Sequence, residues 1–282
     1  MKKYVVPIIG RAGLGNELFP VLRAASISKQ EARSLLWPTW FQLRIGPLLR
    51  GEADKRFYWR LFRTPGLSTV FRRTRAKIYT RGAHRPHRGS QYVTTEGMQG
   101  YFSDSALSGP EFRELLVGQA RSGVISASVL RPYIALHVRL GDFARGSDTA
   151  AALSRNNTSS PMIWFVARLH AARSARPDLE FYVCSDGSDD ELADILVLPG
   201  VSRGPGRNAL DDLVFMSHAV GIIGSRSTFS AWGAFLGAVP LLVQSGGNAY
   251  APHEEVWEVD AEENAAAWDL AVETSRSRRA TR

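Results

Sequence analysis

Val5 to Ile9 is a short apolar run, broken after Ile9 by Gly10, Gly13 and Gly15 and followed by a stretch of helical character from about Asn16 to Lys29. That succession predicts a strand, a tight loop and a helix. The pattern becomes regular again from Tyr133. Tyr133–Val138 predicts a strand, and after a polar loop a helix runs to about Ser174, with Ser160 as its N-cap and Pro161 in its first turn. Glu180–Ser185 has the composition of a buried strand, and Ser188 with Glu191 three residues on forms a capping box. Leu213–Ala219 predicts a helix, Val220–Gly224 a strand, Ser227–Gly237 a helix and Val239–Gln244 a further strand.

This alternation of strand and helix predicts an α/β fold whose C-terminal half is a parallel, doubly wound sheet, in which ligands bind at the carboxyl ends of the strands. Four polar clusters, beginning at Gly10, His137, Ser185 and Ser225, fall where a predicted strand ends. The stretch between the two regular regions has mixed periodicity and the breakers Pro65–Gly66 and Pro86, which predict short helices and loops. Small residues are frequent from Gly118 to Ser128, so a boundary there divides the chain into domains 1–125 and 126–282.

Charge narrows the partner. The 282 residues carry a net charge of +8 and a pI near 9.9, which favours an anion: a nucleotide pyrophosphate, a charged glycan, a membrane surface or nucleic acid. Much of the excess lies between Arg44 and Arg88, where basic residues interleave with Phe57, Tyr58, Trp59, Phe62 and Phe71, and a second cluster, Arg276, Arg278, Arg279 and Arg282, forms a tail. No nucleic-acid-binding motif accompanies this charge, so nucleic acid is not the expected partner. Cys184 is the only cysteine, which rules out an intrachain disulfide and a cysteine metal cluster and fits a reducing cytoplasm. The apolar stretch Tyr4–Ile9 is too short for the core of a signal peptide, and no run approaches the roughly 20 residues that span a bilayer. Membrane association is therefore expected to be peripheral, at the inner face, through the Arg44–Arg88 region.

Each polar cluster has a chemical and a plain structural reading. The loop Gly10–Asn16 can bring backbone N–H groups and a helix dipole to a phosphate, or it is only a tight turn before a helix; it lacks the full glycine spacing of a dinucleotide fingerprint and the Gly–Lys–Ser/Thr of a P-loop. In His137–Val138–Arg139–Leu140–Gly141–Asp142, Arg139 can grip a pyrophosphate with two parallel hydrogen bonds and His137 can touch a nucleotide; otherwise Arg139 pairs with Asp142 and His137 is a satisfied core residue. A carboxylate at Asp186, Asp211 or Asp212 can accept hydrogen bonds from a guanine edge or a ribose, although helix capping is the commoner role, above all for Asp211. Hydroxyls and amides of Ser225–Ser230 can hold phosphate oxygens or cap a helix. The histidines show no metal-binding spacing, and no Asp–x–Asp pair of the kind that carries a divalent ion in nucleotide-sugar transfer occurs, so no metal and no cofactor are expected.

Taken in order, Gly–Leu–Gly–Asn–Glu–Leu–Phe near the start, His–Val–Arg–Leu–Gly–Asp in the middle, then Phe181–Asp186, Asp212–Ser217 and Ser230–Phe235, the motifs resemble those of the α-1,2-fucosyltransferases of glycosyltransferase family eleven. The resemblance implies a GT-B-like enzyme of two Rossmann-like domains facing a cleft, the first on the acceptor side and the second binding the donor. It implies inverting, metal-independent transfer of fucose from GDP-fucose to a glycan hydroxyl, in an α-1,2 linkage and in surface polysaccharide biosynthesis. Carried over by position, Arg139 binds the β-phosphate with His137 beside the nucleotide. Asp212 reads the guanine, Ser227 and Thr228 hold phosphates next to Phe229, and Gly13, Gly15 and Asn16 meet the donor from the first domain. Asp142 and Asp148 are the candidates for the general base. Two positions depart from the family pattern: Leu140 stands where a second Arg is usual, and Glu17 where Gln is. The alternatives are a transferase of another GDP-sugar and a non-catalytic anion- or nucleic-acid-binding protein.

Overall fold

The computed structural model of the chain describes residues 2–41, 58–80, 91–103, 105–124, 131–140, 144–145, 158–245, 250, 252, 256–259 and 272–273. It divides into two compact units between Gly123 and Val124, inside the small-residue stretch. Each unit is built on a parallel sheet.

In the first unit, β1 (Tyr4–Ile8) is followed by α1 (Leu14–Glu31), β2 (Ser34–Leu35), a 3-10 turn at Tyr58–Arg60, α2 (Leu67–Thr80), β3 (Tyr92–Glu96) and α3 (Gly109–Gly118). The sheet order is β2-β1-β3, with both neighbours parallel to β1. Side chains of a strand point alternately to its two faces. Tyr4 and Val6 accordingly pack with Leu36, Ala76 and Tyr92, whereas Val5 packs with Ala24 and Val93 on the opposite face. Burial of both faces explains why β1 reads as a continuous apolar run rather than an alternating one.

α2 corrects the expectation of only short helices and loops in the basic stretch. It holds fourteen residues, and its inward face carries an arginine: Arg73 is buried and donates to the carbonyls of Leu36 (2.6 Å) and Pro7 (2.9 Å). An arginine at an inward position erases the apolar period that would have announced the helix. The cost of burial draws the Arg73 guanidinium down to about 10, and its two carbonyl partners offset that cost.

The second unit runs β4 (Tyr133–Val138), β5 (Ala144–Arg145), β6 (Thr158–Ser159), α4 (Met162–Ala175), β7 (Glu180–Ser185), a 3-10 turn leading into α5 (Ala193–Leu196), β8 (Val201–Arg203), α6 (Ala209–Ser217), β9 (Gly221–Gly224), α7 (Thr228–Gly237), β10 (Leu241–Gln244) and β11 (Val256–Val259). Six of these strands form one parallel sheet in the order β11-β10-β9-β4-β7-β8. A core of Ile134, Leu136, Val138, Phe165, Leu169, Phe181, Val183, Leu192, Ile195 and Ile223 packs with it. The predicted doubly wound sheet is present, and β4 and β7 match their expected spans.

Helix starts differ in detail. α4 begins after Pro161, which occupies the N-cap position without a side-chain bond, so Ser160 is not the cap. α6 begins four residues before Leu213 because the Asn208 side chain accepts from the amides of Leu210 and Asp211, both at 3.0 Å. Ser188 and Glu191 make the reciprocal bonds of a capping box, Glu191 accepting from the Ser188 amide at 2.9 Å and the Ser188 hydroxyl from the Glu191 amide at 3.3 Å. Among the described residues no helix is long and apolar enough to cross a membrane.

Cys184 lies on β7, 2% exposed, and burial with the neighbouring Asp212 carboxylate pushes its thiol well above the ordinary range. A buried, protonated thiol is a poor nucleophile. Iodoacetamide at neutral pH is therefore expected to leave the native chain unmodified, as read by mass spectrometry, and to label it once in urea; prompt native labelling would contradict the packing of β7.

Candidate active site

Numbered in chain order from β4, the six strands lie 6-5-4-1-2-3 across the sheet. The chain leaves β4 toward β7 and β8, then returns to β9 on the other side and continues to β10 and β11. The winding direction reverses between β4 and β9, and the crevice outside the carboxyl ends of such a strand pair is where doubly wound sheets bind ligands. The segments His137–Leu140 and Ser225–Ser230 meet there.

Their meeting is made by hydrogen bonds that continue the sheet. The Ser225 amide donates to the His137 carbonyl (2.8 Å), and the Arg139 amide donates to Ser225 Oγ (2.9 Å). Ser230, in the first turn of α7, donates its hydroxyl to the Ser225 carbonyl (2.7 Å) and lies 2.7 Å from His137 Nδ1. A hydroxyl has one proton; with that proton on the Ser225 carbonyl, Ser230 accepts from His137, which places the imidazole proton on Nδ1. The His137 ring rests on Phe229, centroids 5.0 Å apart, and burial lowers its pKa to about 4 against the opposing pull of Asp186. His137 therefore ties β4 to α7 through Nδ1, and burial favours its neutral form.

Gly224 makes this closure sterically feasible. A Cβ there would stand 2.6 Å from Ser230 Oγ and 2.8 Å from Ser230 Cβ. Ser227 caps α7 through its hydroxyl, which accepts from the Ser230 amide at 3.2 Å. Thr228 opens the helix and Phe229 follows it.

Arg139 sits at the end of β4 with its guanidinium 22% exposed, and its Nη1 is 2.6 Å from Asp186 Oδ2. The other Asp186 oxygen accepts from the Leu140 amide at 2.9 Å. Among the described residues the strand-end ion pair of Arg139 is with Asp186, across the β4–β7 seam. Asp142 and Asp148 lie outside the described residues. Asp186 is held in turn by its own turn. Arg203, ending β8, reaches the Ser185 carbonyl (3.2 Å), the Gly187 carbonyl and Asp189 (2.8 Å), and Ser185 Oγ accepts from the Gly187 amide at 3.0 Å. Both Asp186 oxygens are engaged by the chain, one by Arg139 and one by the Leu140 amide. Leu140 packs against the core of this unit and its Cδ1 fills the space a Gly187 side chain would need.

Farther along the strand ends, the Asp212 carboxylate hydrogen-bonds the Cys184 thiol and lies against Gly206, where a Cβ would fall 1.8 Å from its Oδ1. Only glycine lets that loop approach Asp212 so closely. Asp211, by contrast, accepts from the Arg207 side chain (3.0 Å) and the Asn208 amide group (3.0 Å); it lies in the first turn of α6, whose cap is Asn208 rather than Asp211.

The glycine loop of the first unit departs from its expected role. Glu17, almost fully buried, folds back over it and accepts from the amides of Gly10 (2.6 Å) and Ala12 (2.7 Å). The Leu14 amide donates to the Tyr58 hydroxyl (2.7 Å), Gly13 is the N-cap of α1, and Gly15 and Asn16 lie within the helix. The anion at this helix terminus is the chain's own carboxylate. Sequence reasoning missed Ser225, Arg203 and the partnership of Arg139 with Asp186; the density of hydroxyls in Ser225–Ser230 was the one signal for the first. Among the described residues no group of His, Cys, Asp and Glu is arranged to hold a metal ion.

No family model and no curated protein matches the sequence. Among solved structures the chain is similar to the α-1,6-fucosyltransferase NodZ soaked with GDP-fucose, at 14% identity and a TM-score of 0.44 over 86% of this chain and 94% of that one. It is similar to NodZ from Bradyrhizobium at 14% identity and a TM-score of 0.46, over 87% and 96% of the two chains. It is similar also to POFUT1 in complex with GDP, at 12% identity and a TM-score of 0.46 over 86% and 98%. At these scores the likeness spans most of each chain without carrying residues across.

Burial of neutral His137 links stability to pH. Its folded pKa of about 4 lies below the ordinary 6.5, so its contribution is complete above pH 6.5 and is lost as pH falls through 4, by at most about 3 kcal/mol. The urea midpoint is expected to drop across that window in the native chain and to drop less in His137→Asn; parallel pH profiles would contradict the assignment.

Proposed function

We propose that the chain is a glycosyltransferase that binds a nucleoside-diphosphate sugar at the carboxyl ends of β4, β7 and β9, and that the donor is GDP-fucose. The observation that carries the proposal is Arg139 at the switch point between β4 and β9, its amide bonded to Ser225, two residues before the Ser227 cap of α7. A guanidinium and a helix N-terminus are both attractive to a pyrophosphate. In this proposal the phosphates lie toward Arg139, Ser227 and Thr228, and the base lies toward Asp212 at the β7–β8 side. The choice of guanine and of fucose rests on the order of motifs shared with the α-1,2-fucosyltransferases, as do the α-1,2 linkage and a place in surface polysaccharide synthesis.

The chemistry asks for charge stabilisation more than for covalent help. As the bond from fucose C1 to the β-phosphate oxygen breaks, C1 gains positive character and the leaving GDP gains negative charge. Arg139 and the α7 terminus neutralise that charge without a metal. The acceptor oxygen bonds to C1 from the opposite face, which inverts its configuration. Its proton passes to a carboxylate, for which Asp142 and Asp148 in the segment after β4 are the proposed bases. Asp186 acts earlier: it holds the Arg139 guanidinium in the position the phosphate later meets, so that little reorganisation is left for the reaction.

Nucleotide release measured over GDP-fucose, GDP-mannose and UDP-sugars is expected to single out GDP-fucose. Arg139→Ala is expected to lower kcat/KM for it by roughly 10²–10³-fold. Full-rate turnover by Arg139→Ala would overturn the assignment, and preference for GDP-mannose would move the proposal to another GDP-sugar. No turnover of any donor, together with steeply salt-dependent nucleic-acid binding, would favour a non-catalytic binder.

A further inference from the structure

α2 presents an apolar stripe to solvent. Its inward face is fixed by Arg73, bonded to the Leu36 and Pro7 carbonyls, and by Ala76 in the core with Tyr4, Val6 and Tyr92. That anchorage leaves Leu67, Phe71 and Ile78 facing outward, 79%, 74% and 67% exposed. At 100° per residue these three fall within about 40° of one another on the helix surface, so they form a single line rather than scattered contacts. Exposed Arg75 flanks the line on one side and exposed Lys77 on the other.

Along the sequence on both sides of the stripe, charge has one sign. From Lys55 to Thr95 the sequence contains eleven Lys and Arg residues and not one Asp or Glu. An apolar line bordered by cations, on a helix held rigidly from behind, matches the plane of a bilayer with anionic head groups: apolar side chains enter the acyl boundary while the cations meet the phosphates. We infer that α2 is a membrane-docking helix that lays Leu67, Phe71 and Ile78 into an anionic lipid surface. Docking of this kind concentrates the protein where lipid-linked glycans are built, a consequence that rests on the proposed transferase activity; the docking itself does not.

Co-sedimentation of the full chain with phosphatidylcholine–phosphatidylserine vesicles, without nucleotide, tests this independently of any enzymatic reading. The native chain is expected to pellet, less so in high salt or with phosphatidylcholine alone. The double variant Leu67→Ser/Phe71→Ser, with an unchanged melting temperature as the check on folding, is expected to partition roughly tenfold or more weakly. Three results would each overturn the inference: no pelleting of the native chain, pelleting unaltered by the double variant, or a native dimer in sedimentation equilibrium that the double variant converts to monomer. The last would assign the stripe to a second copy of the chain.

Discussion

The Ser225 amide bonded to the His137 carbonyl is the contact on which the second unit's site depends. It extends the β4–β9 ladder one residue beyond the strands, at the place where the winding direction reverses. Everything nearby is referred to it: Ser225 Oγ takes the Arg139 amide, and the Ser225 carbonyl takes the Ser230 hydroxyl. Loss of this closure would release both the Arg139 amide and the first turn of α7. The glycine at 224 and the neutral imidazole of His137 are conditions for the closure, one steric and one electrostatic. Burial disfavours a charged His137, which drives its pKa down.

Charge is handled differently at the two helix termini that follow strand ends. At α1 the carboxylate of Glu17 takes the loop amides of Gly10 and Ala12, so the unit supplies its own anion. At α7 the cap is the neutral hydroxyl of Ser227, and the nearby charge is the cation of Arg139. The first arrangement is self-neutralising and holds a turn. The second leaves the α7 terminus without an acidic cap, which is the physical basis for the proposal that a donor's phosphates lie there. Asp186 balances the charge of Arg139, its carboxylate bound by that guanidinium and by the Leu140 amide.

The sheet of the second unit was legible because parallel strands buried on both faces are continuous apolar runs with polar breaks, as Tyr133–Val138 and Glu180–Ser185 are. α2 was not, because a buried arginine replaced the apolar residue that would have marked its inward face, and exposed Leu67, Phe71 and Ile78 blurred the outward one. The start of α6 was hidden for a related reason: Asn208 sets it through side-chain bonds, ahead of the apolar residues that follow. Arg139 was legible as a strand-end cation, but its partner was not. Sequence proximity pointed to Asp142, which lies outside the described residues, whereas strand pairing brings Asp186 from forty-seven positions away, through the register that sets Val138 beside Ser185. Glu17 was legible only as a departure from the family pattern, because its bonds to the Gly10 and Ala12 amides depend on how the loop folds back toward α1.

The central claim is that the Arg139 guanidinium at the switch point recognises the second phosphate of a guanosine diphosphate. Isothermal titration of GDP and GMP into the native chain and into Arg139→Ala measures that directly. The account predicts that the native chain binds GDP about tenfold or more tightly than GMP and that Arg139→Ala brings the two affinities together. Equal affinities in the native chain, or a preference for GDP that survives the loss of Arg139, would contradict it.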